Sequence, residues 1–150
     1  MIAVIQRVIH SKVEVESKTV GEIGRGVLIL LGVEKGDSPA EAAYCASKTA
    51  ELRIFPDGDQ KMNLSLLDVK GEALVVSQFT LPAKIDKGRR PSFDNAMPGK
   101  AAEDLYLEFV DVLRKLGITT ETGEFGAMMN VSLVNDGPVT FILESRNRDK

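Results

Sequence analysis

The order of patterned segments along the chain predicts an α+β domain in which antiparallel and mixed β-sheets pack with two main helices. Three observations carry this expectation. Ile2 and Val4, and then Val13 and Val15, alternate with polar residues as the faces of strands do. The stretch from Gly26 to Val33 is a continuous apolar run between glycines, which reads as a strand buried on both faces. Two further segments, one opening at Ser38 and one near Pro98, carry helix signals.

Taken in order, the strand-rich first third gives way at Ser38-Pro39-Ala40-Glu41, which supplies an N-cap, a proline in the first helical position and a capping-box glutamate. The helix is expected to run toward Leu52. Its alanines, at 42, 43, 46 and 50, suit close packing on a sheet. Pro56-Asp57-Gly58-Asp59 reads as a turn, and the chain returns to strand from Glu72 to Thr80. A second helix is expected from about Pro98, with Ala102, Leu105, Phe109, Val112 and Leu116 on one stripe and Gly117 as its stop. The last third reads as three strands, from Ile118 to Thr122, Met129 to Val134 and Val139 to Glu144. The tail from Asn147 onward is expected to fray.

Length and composition bound the function. With 150 residues, 43% of them hydrophobic, the chain suits one domain over residues 1–150 that buries about two thirds of the surface its unfolded form exposes. Nineteen Lys and Arg stand against 22 Asp and Glu, which argues against a general nucleic-acid coat, so any RNA contact is expected to be local. The single cysteine, Cys45, precludes an internal disulfide. The apolar run at the start is interrupted by Gln6 and Arg7 too early for a signal peptide, and the run from Val27 to Leu31 is too short to span a bilayer. A cytoplasmic protein with no membrane partner is the expectation.

Familiar catalytic patterns are missing. HExxH, CxxC, GxGxxG and the Walker A loop do not occur, so no metal and no cofactor are expected. His10, the only histidine, precedes Ser11-Lys12 in an expected turn and reads as a surface residue. Cys45, on the alanine-rich helix, reads as a small buried thiol. What remains is neutral: the hydroxyls of Ser77 and Thr80, the amide of Gln78 and the ring of Phe79, at the end of the apolar strand Val75-Val76. Such groups bind a small ligand, or hydrolyse an already activated ester by orienting it and directing N–H groups at the developing oxyanion. Alone, the four residues read more readily as the two faces of a strand than as a catalytic site. The loop from Pro82 to Met97 holds Lys84, Lys87, Arg89 and Arg90; beside a candidate site, these cations suit phosphate contacts better than a merely solvated run.

Two signatures, Ser77-Gln78-Phe79-Thr80 and Asn135-Asp136-Gly137-Pro138-Val139-Thr140, are similar to those of the D-aminoacyl-tRNA deacylases. Further matches extend the resemblance over nearly the whole chain: Gln6-Arg7-Val8, Gly21-Glu22-Ile23-Gly24, Arg53-Ile54-Phe55, Lys61-Met62-Asn63-Leu64, Arg90-Pro91-Ser92-Phe93, and the segment from Thr122 to Met129. The resemblance implies the dimeric, antiparallel-sheet-rich fold of that family. It implies a metal-independent hydrolase, without cofactor, that proofreads translation by removing D-amino acids, and glycine mischarged on tRNA(Ala), from the tRNA 3' end.

Carried onto this chain, the family's Gly-cisPro motif falls on Gly137-Pro138, inserted from one subunit into the site of the other. There its carbonyls would accept from the substrate's α-amino group and exclude an L side chain, while glycine would pass. A plain hairpin with a trans proline is equally compatible with the spacing. Arg7 matches the position that holds the motif, although a lone Arg also forms surface ion pairs. Ser77, Gln78, Phe79 and Thr80 fall on the catalytic wall, with Thr80 either a nucleophile or a positioning group while the terminal adenosine's 2'-hydroxyl participates; the second mechanism is favoured because no base is evident. Phe125 and Met129 match a segment near the terminal adenosine and Phe93 a substrate-binding position, though rings and thioethers there would look the same in a core. A noncatalytic RNA-end binding module and a general Thr80-dependent esterase are the competing readings.

Overall fold

The computed structural model describes residues 1–148. Its strands and helices follow the order β1 (Ile2–Val15), β2 (Lys18–Ile23), β3 (Gly26–Gly32), α1 (Pro39–Glu51), β4 (Phe55–Pro56), β5 (Met62–Leu64), β6 (Glu72–Ser77), α2 (Gly99–Lys115), β7 (Thr120–Thr122) and β8 (Asn130–Glu144). The main sheet runs β2-β1-β3-β6-β7, with β8 paired to β1, and β4 and β5 form a separate two-stranded sheet. Antiparallel pairing joins β1 to β2, β3 and β8, whereas β3, β6 and β7 run parallel.

The central strand β3 explains the unbroken apolar run. Val27, Ile29 and Leu31 point into a core shared with Ala42, Cys45 and Ala46 of α1 and Leu105, Phe109 and Leu113 of α2. Leu28, one step out of phase, points to the other face with Val8, Val13, Ile23, Leu74 and Val76. A sheet buried on both faces needs no polar alternation. The ends of the sheet curl together: a Cβ on Gly21 of β2 would collide with the Thr122 carbonyl oxygen of β7, so only glycine lets the two strands approach this closely.

Helix α1 starts as its sequence predicts. Ser38 is the N-cap, Pro39 follows it, and the Glu41 carboxylate accepts from the Ser38 N–H at 2.7 Å to complete the capping box. Helix α2 stops at Gly117, whose φ of +90° reverses the chain. Its buried face differs from the expected stripe: Tyr106, Val110 and Leu113 join Ala102, Leu105 and Phe109, while Val112 is half-buried and Leu116 is exposed. At 3.6 residues per turn the face follows 102, 106, 109 and 113, and positions 112 and 116 fall to its side.

Three local expectations are corrected. His10-Ser11-Lys12 is not a turn but the middle of β1, where His10 pairs with Val134 and the Ser11 hydroxyl donates to the Ser132 carbonyl at 2.8 Å; His10 is exposed. Strand β6 ends at Ser77, so Gln78, Phe79 and Thr80 belong to the turn after it and do not alternate across a sheet. The third correction concerns the C-terminal third. Met129 to Val134 and Val139 to Glu144 are halves of one strand, β8, and both pair with β1 in the same direction. Asn135-Asp136-Gly137-Pro138 is therefore neither a hairpin nor an ordinary turn. Val8 faces Asn135 and Gln6 faces Thr140, so the four residues 136–139 bulge outward opposite Arg7 alone.

The expected frayed tail is described as far as Arg148. Ser145–Asn147 forms a short 3-10 turn, and the Asn147 side chain donates to Glu144 at 2.9 Å. Residues 149 and 150 of the expected frayed tail lie outside the described residues.

Candidate active site

Three parallel strands, β3, β6 and β7, end at one edge of the sheet, and a cavity of about 630 Å³ opens there. The carboxyl ends of parallel strands are where open sheets bind ligands, since the connecting chain leaves on either side. Leu31 and Val33 reach the cavity from β3 and the chain after it, Val76 and Ser77 from β6, and Phe125 to Met129 from the segment after β7. The mouth is completed by Phe93 and the stretch from Ala96 to Ala102 at the start of α2.

Six residues singled out in the sequence meet here: Ser77, Gln78, Phe79, Phe93, Phe125 and Met129 all line the cavity. Phe79 and Phe93 stand at the rim with ring centroids 5.3 Å apart. Phe125 packs against Tyr106 of α2 at 5.6 Å, and the Tyr106 hydroxyl donates to the Val75 carbonyl at 2.7 Å. Burial pushes the Tyr106 phenol well above its ordinary pKa, so it stays a neutral donor that ties helix to strand.

No lining residue carries an ionisable side chain. His10 lies on β1, and Cys45 is buried under the sheet, where loss of hydration pushes its thiol up to about 11. No group of three or more His, Cys, Asp or Glu side chains positioned to hold a metal ion occurs among the described residues. What the wall offers is amide and hydroxyl chemistry. The Gln78 side-chain amide donates to the Thr80 hydroxyl oxygen at 2.6 Å. Gln78 N–H is committed to the Leu31 carbonyl and Leu81 N–H to the Gln78 carbonyl, whereas the intervening N–H groups of Phe79 and Thr80 have no acceptor among the described residues. Phe79 lines the cavity, whereas Thr80, the next residue, is exposed and is not among the lining residues.

Arg7, Gly137 and Pro138 are not part of this cavity. They form a second assembly on the β8 bulge. Arg7 is buried; its guanidinium donates to the Ile54 carbonyl at 2.7 Å, and its Nε faces the Asp136 carboxylate at 3.1 Å as an ion pair outside hydrogen-bond geometry. This corrects any reading of Arg7 as a surface ion pair. The Asn135 side chain donates to the Arg7 and Val139 carbonyls at 2.9 and 3.0 Å, closing the base of the bulge. Gly137 and Pro138 stand exposed at its tip, joined by a cis peptide bond, with Gly137 at φ +131°.

Sequence reasoning missed the wall made by Ala96, Met97, Pro98, Gly99 and Ala102. Its signal was present. Pro98 caps α2 without a side-chain hydrogen bond, and no acidic residue occupies the first turn. A helix start so poorly capped by its own chain is a place to look for a ligand.

A neutral cavity thus lies at the carboxyl edge of a curled mixed sheet, beside backbone N–H groups without acceptors among the described residues. Comparison with known proteins gives the family. Residues 4–144 match the D-Tyr-tRNA(Tyr) deacylase family. A D-aminoacyl-tRNA deacylase of Geobacter sulfurreducens is 59% identical over 148 residues, covering 99% of this chain and 97% of that protein. A solved structure of a c-Myc DNA unwinding element binding protein superposes with a TM-score of 0.90 at 41% identity, over 96% of this chain and 98% of that one. A probable eukaryotic D-amino acid tRNA deacylase shares the fold, with a TM-score of 0.82 at 18% identity over 95% of this chain and 97% of that one. The chain belongs to the D-Tyr-tRNA(Tyr) deacylase family.

Proposed function

We propose that this protein is a D-aminoacyl-tRNA deacylase: a hydrolase that cleaves the ester joining a D-amino acid to the 3' end of tRNA, as proofreading of translation in the cytoplasm. In this reading residues 1–150 form a single deacylase domain. The observation that carries it is the cavity itself, large enough for a nucleoside and an amino acid, lined by Phe79, Phe93, Phe125 and Met129, with the N–H groups of Phe79 and of the next residue, Thr80, left without acceptors.

The mechanism follows from what the wall lacks. With no ionisable side chain among the lining residues, this chain's own wall supplies no general base. An aminoacyl ester is activated by its electron-poor acyl group and by the ribose 2'-hydroxyl next to it. The protein's part is to hold the ester carbonyl against the Phe79 and Thr80 N–H groups, so that charge developing on the oxygen meets preorganised donors as water adds. Ser77 and Gln78 fix the turn and orient the ribose, with the Gln78–Thr80 hydrogen bond holding that turn in shape.

Handedness requires a second wall, and the chain's own cavity does not contain Gly137 or Pro138. We assign that wall to the bulge of a second copy in a homodimer. Strand β8 supports this: it has a partner, β1, on one side only among the described residues, and Phe141, Ile142, Val134 and neighbouring Ile9 leave apolar side chains exposed. A backbone wall built of glycine and proline leaves room for a hydrogen at the L position and none for a side chain. Glycyl-tRNA, including glycine mischarged on tRNA(Ala), has no side chain to reject and passes the same filter.

Incubation with matched D- and L-tyrosyl-tRNA, with and without EDTA, tests the reading. Chelator-resistant loss of the D ester alone is expected. Binding of tRNA without loss of either ester would reduce the protein to an RNA-end binding module, and loss of both would remove the chiral wall from the account.

A further inference from the structure

The hairpin that leaves the cavity mouth carries more positive charge than its structural role requires. After Thr80 the chain turns through Leu81–Ala83, and Lys84 then pairs with Ser92 by two backbone hydrogen bonds, each 2.9 Å, which close a nine-residue hairpin. Its foot is bound to the site. Ser92 precedes Phe93, whose ring contacts Phe79 at the rim; farther on, Lys35 N–H donates to the Asn95 carbonyl and Met97 N–H to the Val33 carbonyl. The hairpin is thus fixed in direction where it meets the cavity.

Within those nine residues are Lys84, Lys87, Arg89 and Arg90, against a single acid, Asp86, in a chain whose formal net charge is −3. All four cations are exposed, and none makes an ion pair or side-chain hydrogen bond among the described residues. Cations elsewhere on the surface have partners: half-buried Lys12 with Glu14, and exposed Lys100 with Asp104 and Lys115 with Asp111. Four like charges held together with one acid among them repel one another, and the arrangement is relieved by a polyanion. Gly88, at φ +71°, makes the tip and brings Lys87 and Arg89 to either side of it.

We propose that this hairpin is a phosphate clamp for the RNA strand leading into the cavity: the terminal nucleoside enters the site while Lys84, Lys87, Arg89 and Arg90 take the backbone phosphates that precede it. The proposal rests on the deacylase reading and adds to it where the RNA outside the cavity is held. Phosphate contacts fix register and carry no base preference, which suits a protein that must accept many tRNAs through their shared end. The exposed rings of Phe79 and Phe93, beside the cations, supply the aromatic surface that single-stranded ends use alongside basic grooves.

The test is binding of an uncharged acceptor-stem minihelix ending in CCA, measured by fluorescence anisotropy from 50 to 300 mM NaCl. The protein is compared with a variant carrying Lys84→Gln, Lys87→Gln, Arg89→Gln and Arg90→Gln, and with one carrying Lys84→Arg, Lys87→Arg, Arg89→Lys and Arg90→Lys. The neutral variant is expected to bind roughly tenfold or more weakly and to lower the slope of log K against log salt by about 3, one increment of about 0.7 to 0.9 for each phosphate no longer neutralised. The charge-conserving variant is expected to retain the parental slope. Hydrolysis of a D-tyrosyl ester of adenosine, which carries no phosphate, is expected to be equal in all three. An unchanged slope in the neutral variant, or an altered oligomeric state in place of altered RNA affinity, would overturn the clamp. Because the minihelix carries no amino acid, this outcome is independent of whether D-aminoacyl-tRNA is the substrate.

Discussion

The Gln78 side-chain nitrogen lies 2.6 Å from the Thr80 hydroxyl oxygen, with the amide as donor. One of the two lone pairs of the Thr80 oxygen is therefore engaged, and no ionisable side chain lines the cavity to take its proton. In the proposed mechanism the Thr80 side chain shapes the turn, and the backbone N–H groups of Phe79 and Thr80 meet the ester carbonyl.

Thr80→Ala is accordingly expected to keep deacylation within about tenfold of the parent, whereas removal of a true nucleophile costs about 10⁴-fold or more in kcat. Single-turnover decay of D-tyrosyl-tRNA distinguishes the two. For the same reason the rate from pH 6 to 8 is expected to lack the bell shape produced by a side-chain acid and base. A bell with two inflections in that range would place an ionisable group in the reaction.

Gly137→Ala challenges the second wall. At φ +131° an L side chain is strained, and the added Cβ would lie 2.6 Å from Val139 Cγ2 and 3.0 Å from the Val139 nitrogen. The tip of the bulge must shift. The ratio of kcat/KM for D- over L-tyrosyl-tRNA is expected to fall in a protein whose circular dichroism is unchanged; an unaltered ratio would refute the wall.

Arg7→Lys removes the planar fork that serves the Ile54 carbonyl and Asp136 together. A lysine ammonium reaches one of them, and an Ile54 carbonyl left unmet beneath it costs about 1–3 kcal/mol. The melting temperature is expected to drop, and D over L discrimination to fall with it as the bulge loosens.

Cys45 gives a prediction on pH. Burial disfavours the thiolate, so the pKa rises, to about 11, and the residue is a thiol throughout the neutral range. Iodoacetamide at pH 8 is expected to leave the native protein unmodified and to label it fully in guanidinium chloride.

Ser38→Ala removes the cap of α1 and is expected to cost about 1 kcal/mol, which lowers Tm by about 2–4 °C in a chain of this size. Hydrogen bonds from the Ser38 hydroxyl and backbone hold the Glu41 carboxyl below its usual range. A depressed folded-state pKa contributes stability above the unfolded value that is lost as pH falls through the folded one. The gap between parent and variant is therefore expected to narrow in acid, as thermal melts at neutral and low pH would show.

What the sequence revealed tracks how locally each feature is determined. The α1 capping box needs only Ser38 and Glu41, and the double-sided burial of β3 needs only its own run, so both were legible. Strand β8 was not. Asn-Asp-Gly-Pro carries every local mark of a turn, and only pairing with β1, more than a hundred residues away, shows that the chain goes straight on. The cavity wall at Ala96 to Ala102 escaped for a related reason: it reads as the start of a helix, and its second role exists only because the ends of β3 and β6 arrive beside it.

The β8 bulge has a consequence for how this chain can vary. Everywhere else along β8, losing or gaining one residue would turn each following side chain to the opposite face and bring polar groups inward. At residues 136–139 the flanks are held independently, by Val8 against Asn135 and Gln6 against Thr140. Length there is uncoupled from facing. The one part of the strand that projects from it is also the one part whose length can change while the sheet beneath keeps its register.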